Sequence, residues 1–91
     1  MITAIVLVDC DNHRIPEVAE EIAGLEGVSE CYSVAGDVDL VAVVRVRAFD
    51  DIAATIAGRL DKVPGVLNTQ TLIAFQAYSR HDLESAFALG S

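Results

Sequence analysis

Apolar residues recur along this chain in two rhythms, and each change of rhythm marks an element boundary. Ile2 to Cys10 is rich in β-branched and apolar residues and closes in the polar cluster Asp11-Asn12-His13-Arg14, which predicts a strand and then a loop. Pro16 and Glu17 suit a first helical turn, because proline needs no donor there and the carboxylate meets the positive helix start. Val18, Ala19, Ile22 and Leu25 share one face at helical spacing, and Gly27 ends that helix. Val28 to Ala35 reads as a second strand, Gly36-Asp37-Val38-Asp39 as a turn, and Leu40 to Val46 as a third strand. Asp50 is a good N-cap for a second helix with Ile52, Ala53, Ile56, Leu60 and Val63 on its core face. Pro64-Gly65 stops it, and Val66 to Tyr78 reads as a long fourth strand. Ser79 with Asp82 resembles a capping box, which predicts a short C-terminal helix over His81 to Leu89.

The predicted order is β-α-β-β-α-β. Its two halves echo each other: Leu25-Glu26-Gly27-Val28 and Val63-Pro64-Gly65-Val66 both run from helix end through glycine to strand start. This order is the split βαβ, ferredoxin-like α+β plan. Right-handed crossovers place both helices on one face of a four-stranded antiparallel sheet. At 91 residues the chain is expected to form one domain, residues 1–91.

Helices can cover only one face of such a sheet, and a wetted second face should alternate apolar with polar residues. These strands do not. Ile2, Ala4, Val6 and Val8 oppose Ile5 and Leu7; Leu40, Ala42, Val44 and Val46 oppose Val41 and Val43; Leu72 and Ala74 oppose Ile73 and Phe75. Both faces are therefore expected to be apolar near the centre, which marks an interface. A face-to-face dimer with two-fold symmetry is the expected arrangement.

Composition supports this reading. Apolar residues make up 53% of the chain, rich for a small domain with little interior to hide them. Six basic against fourteen acidic residues give a net charge of −8. The basic residues, Arg14, Arg45, Arg47, Arg59, Lys62 and Arg80, look scattered, so no phosphate-binding patch for nucleic acid is expected. Cys10 and Cys31 form no CxxC pair, so no metal or redox motif is indicated and free thiols in a reducing cytosol are expected, with a single disulfide left open. The longest apolar run, Leu40 to Val44, is too short to cross a bilayer, and the N-terminus lacks a basic region before its apolar residues. A cytoplasmic protein without membrane contact is expected.

Chemistry concentrates at the turn. Gly36 can take positive φ, and Asp37 and Asp39 tolerate turn geometry. An ordinary hairpin explains them. Two carboxylates beside exposed amides would also suit a ligand that carries both an ammonium and a carboxylate group.

Val34-Ala35-Gly36-Asp37-Val38-Asp39-Leu40-Val41 resembles the "GD-x-D" hairpin of the Lrp/AsnC effector domain, also called the RAM domain. Pro64-Gly65-Val66-Leu67-Asn68-Thr69-Gln70-Thr71-Leu72-Ile73 is similar to its "PGV…T-x-T" fourth strand, and Val28 to Tyr32 also fits. The resemblance covers nearly the whole chain in the right order. It implies a ferredoxin-like fold and dimers built by sheet packing, commonly associating further into rings of four dimers, an octamer. It also implies an amino-acid effector bound between subunits, with Gly36, Asp37, Val38, Asp39 and Leu40 matching the hairpin segment and Thr69 and Thr71 the strand segment. Full-length members carry an N-terminal helix-turn-helix domain, whereas this sequence opens on the first strand. A stand-alone sensor without catalysis, cofactor or DNA contact is therefore expected, either modulating full-length Lrp/AsnC regulators by mixed assembly or sensing amino acids alone.

Two other readings compete. Ferredoxin-like dimers also occur as small α+β-barrel monooxygenases and isomerases. Here His13, His81, Tyr32, Tyr78 and Asp9 are the available acid–base groups, and no nucleophile sits beside a base. ACT-type regulatory modules share the element order, but they usually carry a glycine-rich loop after the first strand. Asp11 to Pro16 contains no glycine.

Overall fold

The computed structural model describes residues 1–80. It contains β1 (Ile2–Cys10), α1 (Ile15–Ala23), β2 (Val28–Ser33), β3 (Leu40–Val46), α2 (Phe49–Ile56) and β4 (Val66–Ala74). Single 3-10 turns precede α1 at Asn12–Arg14 and follow α2 at Leu60–Lys62. The strands form one sheet in the order β2-β3-β1-β4, with every neighbouring pair antiparallel. This is the predicted α+β, ferredoxin-like fold. The predicted C-terminal helix over His81 to Leu89 lies outside the described residues. Among the described residues, no helix is long and apolar enough to cross a membrane.

Strict alternation builds the core. Ala4, Val6, Val8 and Cys10 on β1 and Leu40, Ala42, Val44 and Val46 on β3 turn to the helices and are buried. Val18 and Ile22 of α1, Ile52 and Ile56 of α2, and Leu60 and Val63 beyond α2 close over them in one cluster. Full burial of a side chain such as Ile22 or Leu60 contributes about 1.5–3 kcal/mol.

Several predicted boundaries move, each for a local reason. α1 ends at Ala23 rather than Gly27, because Gly24 caps it, its N–H reaching the Glu20 and Glu21 carbonyls. β2 stops at Ser33 rather than Ala35, since Ser33 lies opposite Leu40, where β3 begins. β4 stops at Ala74 rather than Tyr78, since Ala74 lies opposite Thr3 and β1 has almost no chain left to pair with. Phe75 and Tyr78 accordingly lie exposed beyond the strand. Asp50 does not cap α2. Ala48 holds the cap position without a side-chain bond, and Asp50 and Asp51 lie in the first turn, where their charge favours the helix start. The core face of α2 carries Thr55 in place of Ala53, which is exposed, because Ile52, Thr55 and Ile56 follow the i, i+3, i+4 pattern. Leu60 and Val63 reach the core from outside the helix.

The opposite side of the sheet bears Ile5, Leu7, Val41 and Val43, all half-buried, with Leu72 opposite Ile5 and Tyr32 opposite Val41. No described helix covers this side. It is apolar at its centre, as the alternation predicted. Its rim is polar: the Tyr32 hydroxyl donates to Glu30 Oε2 (2.6 Å), and Arg45 Nη1 donates to Glu30 Oε1 (3.0 Å) and Ser29 Oγ (2.6 Å). Tyr32's hydrogen bond, with help from Arg45, lowers the Glu30 pKa, and the same bond raises that of Tyr32.

Candidate functional site

β2 ends at Ser33 and β3 begins at Leu40, so residues 34–39 form the connecting loop. Asp39 holds this loop down. Its N–H donates to the Val8 carbonyl (3.0 Å), its carbonyl accepts from Val34 N–H (3.1 Å), and its Oδ2 accepts from Cys10 N–H (3.0 Å). The carboxylate thus closes the end of β1, where the pairing with β4 shifts register between Asp9 and Cys10. Leu40 is fully buried and anchors the loop in the core.

The loop between these anchors is open. Gly36 has φ +144°, and a Cβ there would meet open space, so it is the backbone conformation itself that favours glycine. Asp37 is exposed and Val38 half-buried. The amides of residues 35–38 donate to no other described residue. A short row of free amides beside an exposed carboxylate can meet both ends of a zwitterion.

The two threonines divide. Thr69 and Leu40 flank Val8 on opposite sides, so Thr69 lies at the hairpin's end of the sheet, two strand spacings or about 10 Å away. Its hydroxyl already donates to Asp61 Oδ1 at 2.8 Å. Thr71 sits two residues further along, opposite Val6, and lines an apolar groove of about 370 Å³ between α2 and β4. One subunit therefore brings Gly36, Asp37, Val38, Asp39, Leu40 and Thr69 to one end of the sheet and leaves Thr71 apart.

The acid–base candidates do not converge. His13 is exposed in the turn after β1, its N–H bonded to Asp11 Oδ1. Tyr32 is spent on Glu30, Tyr78 lies beyond β4, and Asp9 pairs with Asn68 across the sheet. His81 is outside the described residues. Both cysteines are free thiols. Burial, then the charges of Asp39, Asp11 and Asp9, pushes the Cys10 thiol up; burial, then Cys10, does the same for Cys31. Neither is a poised nucleophile.

One grouping was invisible in the sequence. Arg47 and Arg59 lie apart along the chain, yet with Glu26 and Asp51 they line a single cleft at the far end of β3. No motif spacing signals it, because it depends on α2 returning over the sheet.

Comparison with known proteins places the fold. A family model described as the Lrp/AsnC ligand binding domain matches residues 3–83. TTHA0845 from Thermus thermophilus superimposes with a TM-score of 0.81 at 41% identity, covering 88% of this chain and 100% of that one. The HTH-type transcriptional regulator PH1916 of Pyrococcus horikoshii is 39% identical over 59 residues, which are 65% of this chain and 39% of that protein. The chain thus matches well under half the length of that regulator. The transcriptional regulator NMB0573 of Neisseria meningitidis, solved as a complex with L-Met, shares the fold alone, with a TM-score of 0.76 at 14% identity over 87% of this chain and 53% of that one. The hairpin, the sheet order and the family match over most of the chain agree: this protein belongs to the Lrp/AsnC ligand-binding domain family.

Proposed function

We propose that this domain pairs with a second copy through its open sheet face and binds an amino-acid effector at the hairpin, in space completed by neighbouring subunits, without catalysing a reaction. The observation that carries this reading is the uncovered apolar patch of Ile5, Leu7, Val41 and Val43. Such a surface is costly in water and favours association. At the hairpin, the free amides of residues 35–38 would take the effector's carboxylate and Asp37 its ammonium. Asp39, Leu40 and Thr69 would hold the loop and the strand end in place, and the Thr71 hydroxyl would be supplied by a neighbouring copy. The L-Met complex of NMB0573, a regulator of the same fold, supports an amino acid as the effector class. Further association of dimers into a ring of four, an octamer, and mixed assembly with full-length Lrp/AsnC regulators extend the same reading. The described elements share one core, in keeping with a single domain over residues 1–91. Two free thiols suit a reducing compartment, the cytoplasm.

Sedimentation velocity at micromolar concentration, paired with calorimetry against the twenty amino acids, tests this. A dimer or larger species that binds one of them saturably is expected, with Asp37→Ala weakening the binding. A stable monomer, or silence across all twenty, would overturn it.

A further inference from the structure

β4 is an edge strand, and its helix side is left uncovered. Ile73 and Thr71 lie opposite Ala4 and Val6, whose side chains are fully buried under the helices. Ile73 is nonetheless only half-buried, and Thr71 is exposed. α2 stops short of them, and the space between is the groove of about 370 Å³. Phe49, Ile52, Ala53 and Ile56 form its other wall. Ile52 and Ile56 are 6% and 8% exposed, whereas Phe49 stands 63% exposed. Thr71 and Asp50 are the polar residues of the lining. A surface of this kind is costly to leave in water. Pairing through the open sheet face would not cover it, because the groove lies on the other side of the sheet. Of the hairpin-site residues, it takes in Thr71 alone.

The chain's own continuation is placed to fill it. β3 runs to Val46 opposite Ile2, and β4 runs to Ala74 opposite Thr3. The start of α2 at Phe49 and the exit of β4 therefore lie at the same end of the sheet. The nine residues from Ala74 to Leu83 can span about 30 Å when extended. The eight residues of α2 are only about 12 Å long, so the chain can turn and reach any part of the groove.

The sequence beyond that point fits the groove. Leu83, Ala86 and Phe87 stand at i, i+3 and i+4, with Asp82, Glu84 and Ser85 between them. Leu83 and Phe87 repeat the spacing of Ile52 and Ile56 on α2. A helix this short is marginal alone in water and needs a surface to form on. A cavity of about 150 Å³ already holds a benzene ring, so the groove has room for a leucine and a phenyl ring. The family match ends at residue 83, so Phe87 belongs to this chain's own continuation rather than to the shared pattern.

We propose that residues 81–89 of the same subunit dock as a helix in this groove, with Leu83 near Phe49 and Phe87 further in, towards Ile56. The segment shelters the helix side of the edge strand, which α2 leaves bare.

The test is NOE spectroscopy of the full chain, in which contacts from the Phe87 ring to the Ile56 and Ile73 methyl groups are expected. Ala53 is exposed on α2, so Ala53→Glu should keep the wild-type circular dichroism while its charge in the groove abolishes these contacts. Phe87→Ala should lower Tm by about 4 °C or more in the wild-type chain, and by less than about 1 °C in the Ala53→Glu background. Disulfide trapping in a Cys31→Ser background tells which copy supplies the segment; Cys10 is buried and stays. Ala53→Cys with Ala86→Cys should close within one subunit, at least about fivefold faster than Ala53→Cys with Ser85→Cys, which lies on the opposite helical face. A cross-linked dimer would assign the groove to a neighbouring copy, and equal rates would show a tether without docking. Either result, or the absence of the Phe87 contacts, would overturn the proposal.

Discussion

Asp39→Ala removes a side chain that ties the hairpin to β1. The lost contact is Cys10 N–H to Asp39 Oδ2 at 3.0 Å, between residues 29 apart in sequence and partly buried. A hydrogen bond to a charged group contributes about 1.5–3 kcal/mol, and orphaning a buried amide costs a similar amount. Water can reach part of this half-buried carboxylate, so the expected loss is at the low end, about 1–2 kcal/mol. The backbone bonds of Asp39 to Val8 and Val34 do not depend on its side chain and should survive. For a domain of this size each kcal/mol moves Tm by about 4–8 °C, so a fall of roughly 4–16 °C is expected. Asp39→Asn keeps a neutral acceptor and should lose about half as much. Thermal unfolding followed by circular dichroism, at matched protein concentration, reads the shift. Amide hydrogen exchange at Cys10 reads the bond itself and should quicken in Asp39→Ala. If both variants melt within about 1 °C of wild type and the Cys10 amide stays protected, the carboxylate clamp is refuted.

Val43→Lys places a charge in the centre of the open face, and sedimentation should then show a monomer with near-native circular dichroism; an unchanged oligomer refutes the face-to-face pairing. Leu60→Ala should cost about 2–5 kcal/mol in denaturant unfolding, because Leu60 is fully buried, and a loss below about 1 kcal/mol would show that the core closes without it. Glu30 has its pKa lowered first by Tyr32 and then by Arg45, so this carboxylate stabilises the fold above its ordinary pKa and ceases to as pH falls through the lowered value. Tyr32→Phe should therefore move the Glu30 NMR titration midpoint up; an unmoved midpoint would show that the tyrosine bond is not its main cause.

The central strands were the most legible part of the chain. β1 and β3 begin and end where the apolar alternation says, because both are buried on one face and half-covered on the other. Edge elements were harder, since their limits are set by partners distant in sequence. Phe75 and Tyr78 continue the apolar pattern of β4, but β1 has almost no chain left to pair beyond Ala74. α2 stops at Ile56 although Leu60 and Val63 keep its spacing, because both sit equally well in the core from a 3-10 turn and the segment after it. At the hairpin, the residue types were readable and their division of labour was not. Asp37 and Asp39 look alike in sequence, and only the approach of Cys10 makes one a clamp and leaves the other exposed. The arginine cleft was hidden for the same reason.

β1 lies in the interior of the sheet although it is the earliest of the four strands. Its partners come from much later segments: Ile2 faces Val46, and Thr3 faces Ala74. During synthesis this strand must wait, its greasy side unsheltered, until β3 and then β4 have left the ribosome. Such long-range closure slows folding and lengthens the time in which nascent copies can stick to one another. For this molecule, the sheet can close only once residue 74 has been made.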